Sequence, residues 1–264
     1  MGSKMANAPV YYSVAQVRFN PILSLDTYVT GLQEKLRKAG FPDFKKIQTV
    51  VFNFNMVGAP SGESEQVPQG QPLQRYMFLD MSGTSGFILD LDALSYQTTE
   101  YETFEKFSGE LLDTLLKVHE AVNINYTERV GVRQLDAVIP NAGESLGQYL
   151  DAQVIGLKGK IEGELIHSFS ETLVQTKVGQ LLSRAIIFKG KLGFPPDVQS
   201  VGVRVADRFS GFQGEHAILD TDGFYAGRET FDIAGVKKRL FDLHTETSKA
   251  FKAATTEYAK QVWR

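Results

Sequence analysis

Four arginines stand at positions where they could bind an anion. Arg18 and Arg133 open similar strand-like segments, and Arg75 and Arg204 lie later in the chain at positions that we take as equivalent. A planar guanidinium suits phosphate and carboxylate groups. Two such pairs on one open sheet would therefore form a two-sided anion site.

Two asparagines join these arginines as candidate ligand-binding residues. Asn53 and Asn55 alternate with apolar residues in a predicted strand over residues 47–57. The plainer interpretation of the arginines is that they shield a sheet face and pair with nearby carboxylates. Arg133 alternates in phase with Leu135, so it could instead point into a packed layer.

A repeated Leu-Asp-x-Asp sequence supplies the acidic candidates. It places Asp90 with Asp92, and Asp220 with Asp222, on one face of a predicted strand. Two carboxylates at this spacing can hold a divalent ion such as Mg²⁺ if a third oxygen ligand arrives from elsewhere. No third ligand can be named, so we predict no metal or cofactor and keep a weak divalent-metal site as the alternative.

Other patterns point to structure or exclude a chemistry. The segment 143–147 (GESLG) matches the G-x-S-x-G pattern of hydrolase nucleophiles, but a Pro-containing turn separates it from the preceding strand. We therefore predict that Ser145 caps a helix, as Ser24 does in the first half of the chain. The four histidines lack the spacing of a zinc site. Phosphate-binding loops and dinucleotide-binding glycine motifs are absent from the sequence.

The composition narrows the classes of partner. The net charge of -3 gives no global field for non-specific nucleic-acid binding. The chain has no cysteine, which excludes disulfides, thiolate metal sites and cysteine nucleophiles. No apolar run approaches the roughly 20 residues of a membrane span. The absence of a signal-like apolar segment leaves the cytoplasm as the expected location. Residues 1–9 are interpreted as a tag and a disordered start.

The elements that would position these residues occur twice. In the first unit we predict strands over 11–20, 47–57, 74–81 and 87–94, helices over 24–40 and 104–123, and an exposed mobile loop over 58–72. The second unit repeats local sequences in the same order, for example GVR after AQVR, ESLGQYL after LSLDTYV, and AILDTD after FILDLD. It adds a hairpin near 166–175 and a long closing helix over 235–264.

These repeats predict an α+β fold made by tandem duplication of a β-α-β-β-β-α unit. The units span 10–127 and 128–264. Each would form a curved antiparallel sheet covered by its long C-terminal helix, similar to a TATA-binding-protein-like or helix-grip-like arrangement. Side by side, the two units would give a pseudo-twofold saddle or one continuous sheet. An exposed edge at the N-terminal strand, or the uncovered sheet face, makes a homodimer plausible.

Three segments carry a resemblance to a known family. They are VAQVRFNP at 14–21, YTERVGVR at 126–133 and Leu243-His244 in the closing helix. The chain resembles a sporadically distributed family of uncharacterised bacterial proteins of similar length, with an N-terminal V-x-x-V-R-F-x-P strand and a central R-V-G-L-R-Y-type strand. The resemblance covers the chain from Val10 onward and departs after Arg133. It implies an accessory or antiviral-defence role, and the family has no established activity to carry over.

Two functions follow from these observations. The first is a non-catalytic binding protein that engages an anionic ligand (a nucleotide or nucleic acid) or a protein partner through the open sheet face or an inter-unit groove. The alternative is a metal-assisted phosphodiesterase or nuclease that uses the duplicated Leu-Asp-x-Asp strands. We favour the first because no acid–base or metal constellation is complete.

Overall fold

The computed structural model describes residues 7–51, 71–158, 160–198 and 202–264. The strands are β1 Val10–Phe19, β2 Asp43–Val51, β3 Gln71–Leu79, β4 Ser85–Asp90, β5 Ala93–Thr98, β6 Tyr126–Val138, β7 His167–Gln175, β8 Gln180–Lys191 and β9 Gln213–Thr230. The helices are α1 Leu25–Lys38, α2 Phe104–Val122, α3 Leu146–Tyr149, α4 Ala152–Ile155, α5 Asp207–Ser210, α6 Ile233–Ala254 and α7 Glu257–Val262.

All nine strands of the described residues belong to one sheet, in the order β2-β3-β4-β5-β1-β6-β9-β8-β7. Every neighbouring pair is antiparallel. The predicted α+β class is confirmed. Residues 10–127 and 128–264 share one continuous sheet, which is one of the two predicted arrangements, because β1 pairs with β5 on one side and with β6 on the other. The predicted free edge at the N-terminal strand is wrong, since β1 lies in the centre and the edges among the described residues are β2 and β7.

Three long helices cover one face of the sheet. Val17 and Phe19 project from β1 into a core that also contains Leu111 and Leu115 of α2 and Leu240 of α6. Apolar residues at intervals of three and four give each helix one stripe that faces the sheet. From Tyr12 onward the alternation of β1 places its other side chains on the opposite face, and a bulge beside Tyr11 interrupts the alternation there.

A segment between β8 and β9, residues 192–198 and 202–212, covers part of that opposite face. Its Phe194 and Phe209 pack against Tyr11, and Phe194 also meets Tyr12 edge to face at 5.2 Å between ring centroids. We call these residues the covering segment. It packs over β1, β6, β9 and β8, while a groove remains open beside it.

Two predicted elements divide in the structure. The predicted strand over 87–94 is the β4–β5 hairpin, in which Asp90 pairs with Ala93 across a two-residue turn. The predicted closing helix over 235–264 ends at Ala254. Thr255 adopts an extended conformation and forms a bridge with Leu150, and the Thr256 side chain then caps α7.

The predicted hairpin near 166–175 is present as β7 paired with β8. The predicted loop over 58–72 lies almost wholly outside the described residues. Asn53 and Asn55 lie outside them as well.

Candidate functional site

The sheet face opposite the long helices contains a groove of about 470 Å³. It runs from β3 to β9, and the covering segment forms one wall through Asp197 and Val198. Its lining mixes apolar and charged side chains. They are Tyr12, Val14, Gln16, Arg75, Ile88, Asp90, Ser95, Arg129, Gly131, Val132, Arg133, Asp197, Val198 and Asp222.

The strand register brings the charged residues together. Arg129, Gly131 and Arg133 follow one another at alternate positions of β6, so they share one face. Gly131 pairs with Gln16 of β1, and Arg133 pairs with Asp222 of β9. This register results from antiparallel pairing of distant segments.

Arg133 belongs to an ion-pair network at the covered end of the groove. Its guanidinium donates to both carboxylate oxygens of Asp220, at 2.8 and 2.7 Å, and to Asp197 at 3.1 Å. Arg184 of β8 donates to Asp197 at 2.8 Å and to Glu171 at 2.8 Å. Burial alone would raise the pKa of Asp197, but the hydrogen bonds from the two arginines outweigh it and lower the pKa to about 2.

A second pair occupies the opposite end of the groove. The Arg75 Nε donates to Asp90 at 3.1 Å. Burial raises the pKa of Asp90, and the charge of Arg75 opposes that rise. Arg18 lies outside the groove lining and donates to Asp92 in the β4–β5 turn. These pairs agree with the plainer interpretation of the strand arginines.

Arg129 is different, because its ion pair is longer than those of Arg75 and Arg133. Its Nη2 lies 3.7 Å from the Asp222 carboxylate, and its Nη1 donates to Gln16 at 3.4 Å. The guanidinium carbon lies 4.8 Å from the Phe224 ring centroid. Burial lowers the pKa of Arg129, and the charge of Asp222 opposes that shift only in part. The side chain is a partly buried cation, 28% exposed, with long polar contacts.

Gly131 makes room for this arginine. A Cβ at Gly131 would lie 2.8 Å from Nη1 of Arg129 and 3.1 Å from its Cζ. These distances are shorter than normal van der Waals contacts. Any side chain at Gly131 would therefore push the guanidinium away from its position against the sheet.

The structure brings only two of the four candidate arginines to the groove. Arg75 and Arg133 line the groove, but Arg204 does not belong to a strand. It is an exposed residue of the covering segment, whose backbone nitrogen donates to Gly83 and whose carbonyl accepts from Thr99. The error arose because local sequence similarity cannot show that residues 202–206 cross the sheet instead of joining it.

The groove contains residues that sequence reasoning missed. Arg129, Gln16 and Asp197 were not candidates, and neither was Arg184 in the adjoining network. Arg129 was detectable, since its alternation with Gly131 and Arg133 marks a shared strand face. The position of Asp197 depends on a long-range contact and has no local signal.

The acidic candidates do not form one cluster. Asp220 and Asp222 share one face of β9 as predicted, whereas Asp92 lies in a turn and not on the strand of Asp90. In the part of the chain that the structure describes, no group of three acidic or histidine side chains is arranged to hold a metal ion. Ser145 precedes α3, and its backbone nitrogen donates to Gln148, which is the predicted capping role.

Comparisons with known proteins add no assignment. No protein-family profile matches the chain, and no curated protein is significantly similar to it. Among the described residues, no helix has the length and apolar content to cross a membrane.

Proposed function

We propose that this protein is a non-catalytic binding protein that holds a nucleotide-sized anion in the groove, with Arg129 as the main recognition residue. The observation that carries the proposal is the poor pairing of Arg129, whose nearest carboxylate oxygen lies 3.7 Å away. An arginine at the floor of a groove with so little compensation costs folding free energy. Such a cost is typical of a residue retained for binding.

The surrounding charges favour this residue over the other arginines. Arg133 already donates to two carboxylates, and Arg18 donates to Asp92. A phosphate or carboxylate placed at Arg129 would replace weak contacts with charge-assisted hydrogen bonds, which contribute roughly 1.5–3 kcal/mol each. The amide of Gln16 and the hydroxyl of Ser95 line the same groove and could orient the ligand.

The size and lining of the groove define the ligand class. About 470 Å³ lies within the range of small-molecule sites and is far too small for a nucleic-acid duplex. Tyr12, Val14, Ile88 and Val198 provide an apolar surface beside the charged residues. This mixture suits a ligand with both a flat apolar part and an anionic group, as in a mononucleotide.

The nuclease alternative has no observation in its favour. Each aspartate of the two Leu-Asp-x-Asp sequences lies within 4 Å of an arginine, including Asp90 with Arg75 and Asp220 with Arg133. The positive charge of an arginine this near repels a divalent cation, which makes each carboxylate a poor metal ligand even where the ion pair is long, as it is for Asp222.

We also propose that the chain arose by tandem duplication. Two similar cross-strand pairs support the duplication: Arg75 of β3 with Asp90 of β4, and Arg184 of β8 with Asp220 of β9. We propose a cytoplasmic setting, with which a chain without cysteine is compatible. The accessory or antiviral-defence role rests on the sequence resemblance alone.

Calorimetric titration with pyrophosphate and with AMP tests this function. Arg129→Met keeps an unbranched stem and removes the charge, while Arg228→Met makes the same change at an exposed arginine outside the groove. We expect the wild type and Arg228→Met to bind one of the probes equally. Arg129→Met should bind it roughly 10- to 100-fold more weakly, from the loss of one charge-assisted contact. Absence of binding in the wild type, or equal affinity in Arg129→Met, contradicts the proposal.

A further inference from the structure

The two edges of the sheet differ in how they are protected against pairing with another strand. Strand β2 carries exposed charged residues at one end, Asp43, Lys45 and Lys46. Lysines on an edge strand are a common device against edge-to-edge association. Strand β7 has one carboxylate, Glu171, and that side chain pairs with Arg184 of the neighbouring strand.

The unprotected edge coincides with a concentration of exposed apolar side chains. Of the twelve large apolar side chains exposed among the described residues, six lie between positions 157 and 174. On β7 itself, Phe169 is 55% exposed and Leu173 is 58% exposed. Leu157, Ile161 and Ile166 precede the strand and line an adjoining hollow of about 330 Å³. An apolar patch of this kind marks an interaction surface.

We infer that β7 pairs antiparallel with β7 of a second copy of this chain, which joins the two sheets into one. The strand is complementary to itself. In a twofold arrangement centred on Glu171, Phe169 of each copy lies opposite Leu173 of the other, and Ser170 lies opposite Thr172. The two Glu171 side chains face each other, and each is neutralised by Arg184 of its own copy at 2.8 Å. A second copy therefore matches this strand at both ends, and no partner of different sequence is needed.

The size of the patch sets the expected strength. Each of the six exposed apolar side chains between positions 157 and 174 contributes roughly 100 Å². Covering all six in both copies would bury about 1,200 Å², which is the lower limit of specific interfaces. The dimer should therefore form at micromolar concentration and dissociate on dilution. The inference does not depend on anion binding, because β7 lies outside the groove.

The first test measures mass in solution by size-exclusion chromatography with light scattering. At about 50 µM we expect the wild type to be mainly a dimer of the 29.3 kDa chain. Leu173→Lys should raise the dimer dissociation constant at least tenfold. Met81→Lys is the matched control, since Met81 is 86% exposed in the β3–β4 turn, and it should remain dimeric. A wild type that is monomeric at this concentration, or a dimer that Leu173→Lys does not weaken, overturns the inference.

A second test determines the register and uses the absence of native cysteine. Residues on the twofold have Cα atoms about 5 Å apart in a paired antiparallel sheet, which is within disulfide range. Glu171→Cys should therefore form a cross-linked dimer under mild oxidation. Ser168→Cys, which would lie opposite Val174 of the partner and far from its own counterpart, should stay monomeric on a denaturing gel. Equal cross-linking of both variants contradicts the proposed register and the pairing itself.

Discussion

Asp136 provides a quantitative test of the folded structure. It lies in β6 and is 7% exposed. Burial, followed by the nearby carboxylate of Asp220, raises the pKa of Asp136 from its ordinary 3.8 to about 7. The folded chain thus holds this proton at pH values where the unfolded chain has lost it.

The sign of the effect on stability follows from proton binding. Between pH 4 and pH 7 the folded state binds more protons at this residue than the unfolded state, so its contribution to stability falls as the pH rises. Below pH 4 both states are protonated, and the contribution is constant. The rise in the pKa of Asp136 from 3.8 to about 7 lowers the free energy of unfolding at pH 8 by at most about 4 kcal/mol. At pH 5 the same shift lowers the free energy of unfolding by only about 2 kcal/mol.

Asp136→Asn removes the titration and keeps the shape of the side chain. We expect it to raise the free energy of unfolding relative to the wild type, and to do so by about 2 kcal/mol more at pH 8 than at pH 5. Urea denaturation of both proteins at the two pH values measures this difference. Asp113→Asn on the exposed surface of α2 is the control and should change stability by less than about 0.5 kcal/mol at either pH. A variant whose advantage is the same at pH 5 and pH 8 would refute the reasoning.

Two further predictions concern the groove. Arg133→Met should destabilise the fold by about 3 kcal/mol at pH 8, because it leaves the buried carboxylate of Asp220 with Arg184 alone. Urea denaturation measures this change, and a loss of stability below about 0.5 kcal/mol would contradict the ion-pair network. Gly131→Ala should displace Arg129, whose Nη1 would lie 2.8 Å from the new Cβ. Calorimetry should then show weaker pyrophosphate binding with an unchanged melting temperature, and unaltered affinity would contradict the proposed position of Arg129.

The sequence predicted those parts of the fold that depend on local pattern. Alternation located β1, and the apolar stripes located α1 and α2. The β4–β5 turn at Leu91 and Asp92 contains no glycine or proline, so two short strands resembled one. The division between α6 and α7 was missed because the apolar stripe continues past Thr255.

The candidate site was harder to predict, because it depends on contacts between distant segments. The candidate Arg133 lines the groove, but its partner Asp197 comes from the covering segment and approaches through tertiary structure. The predicted strand position of Arg204 was wrong for the same reason, because its local similarity to Arg75 does not determine whether it enters the sheet. Strand order and register decide which polar residues meet, and neither is encoded by a short motif.

The groove also shows where stability and binding would compete. Burial lowers the pKa of Arg129 and raises the pKa of Asp222, so it disfavours the charged form of both side chains. Replacement of both residues by uncharged side chains of similar size is often neutral or stabilising for a buried pair. Their presence in a groove is consistent with the binding role that we propose.

The most direct test of the central claim is an NMR titration of the arginine Nε–Hε signals with pyrophosphate. We expect the Arg129 signal to move in a saturable way, while the signal of Arg228 outside the groove stays constant. If Arg129 does not respond, or if Arg228 responds equally, the groove is not the anion site.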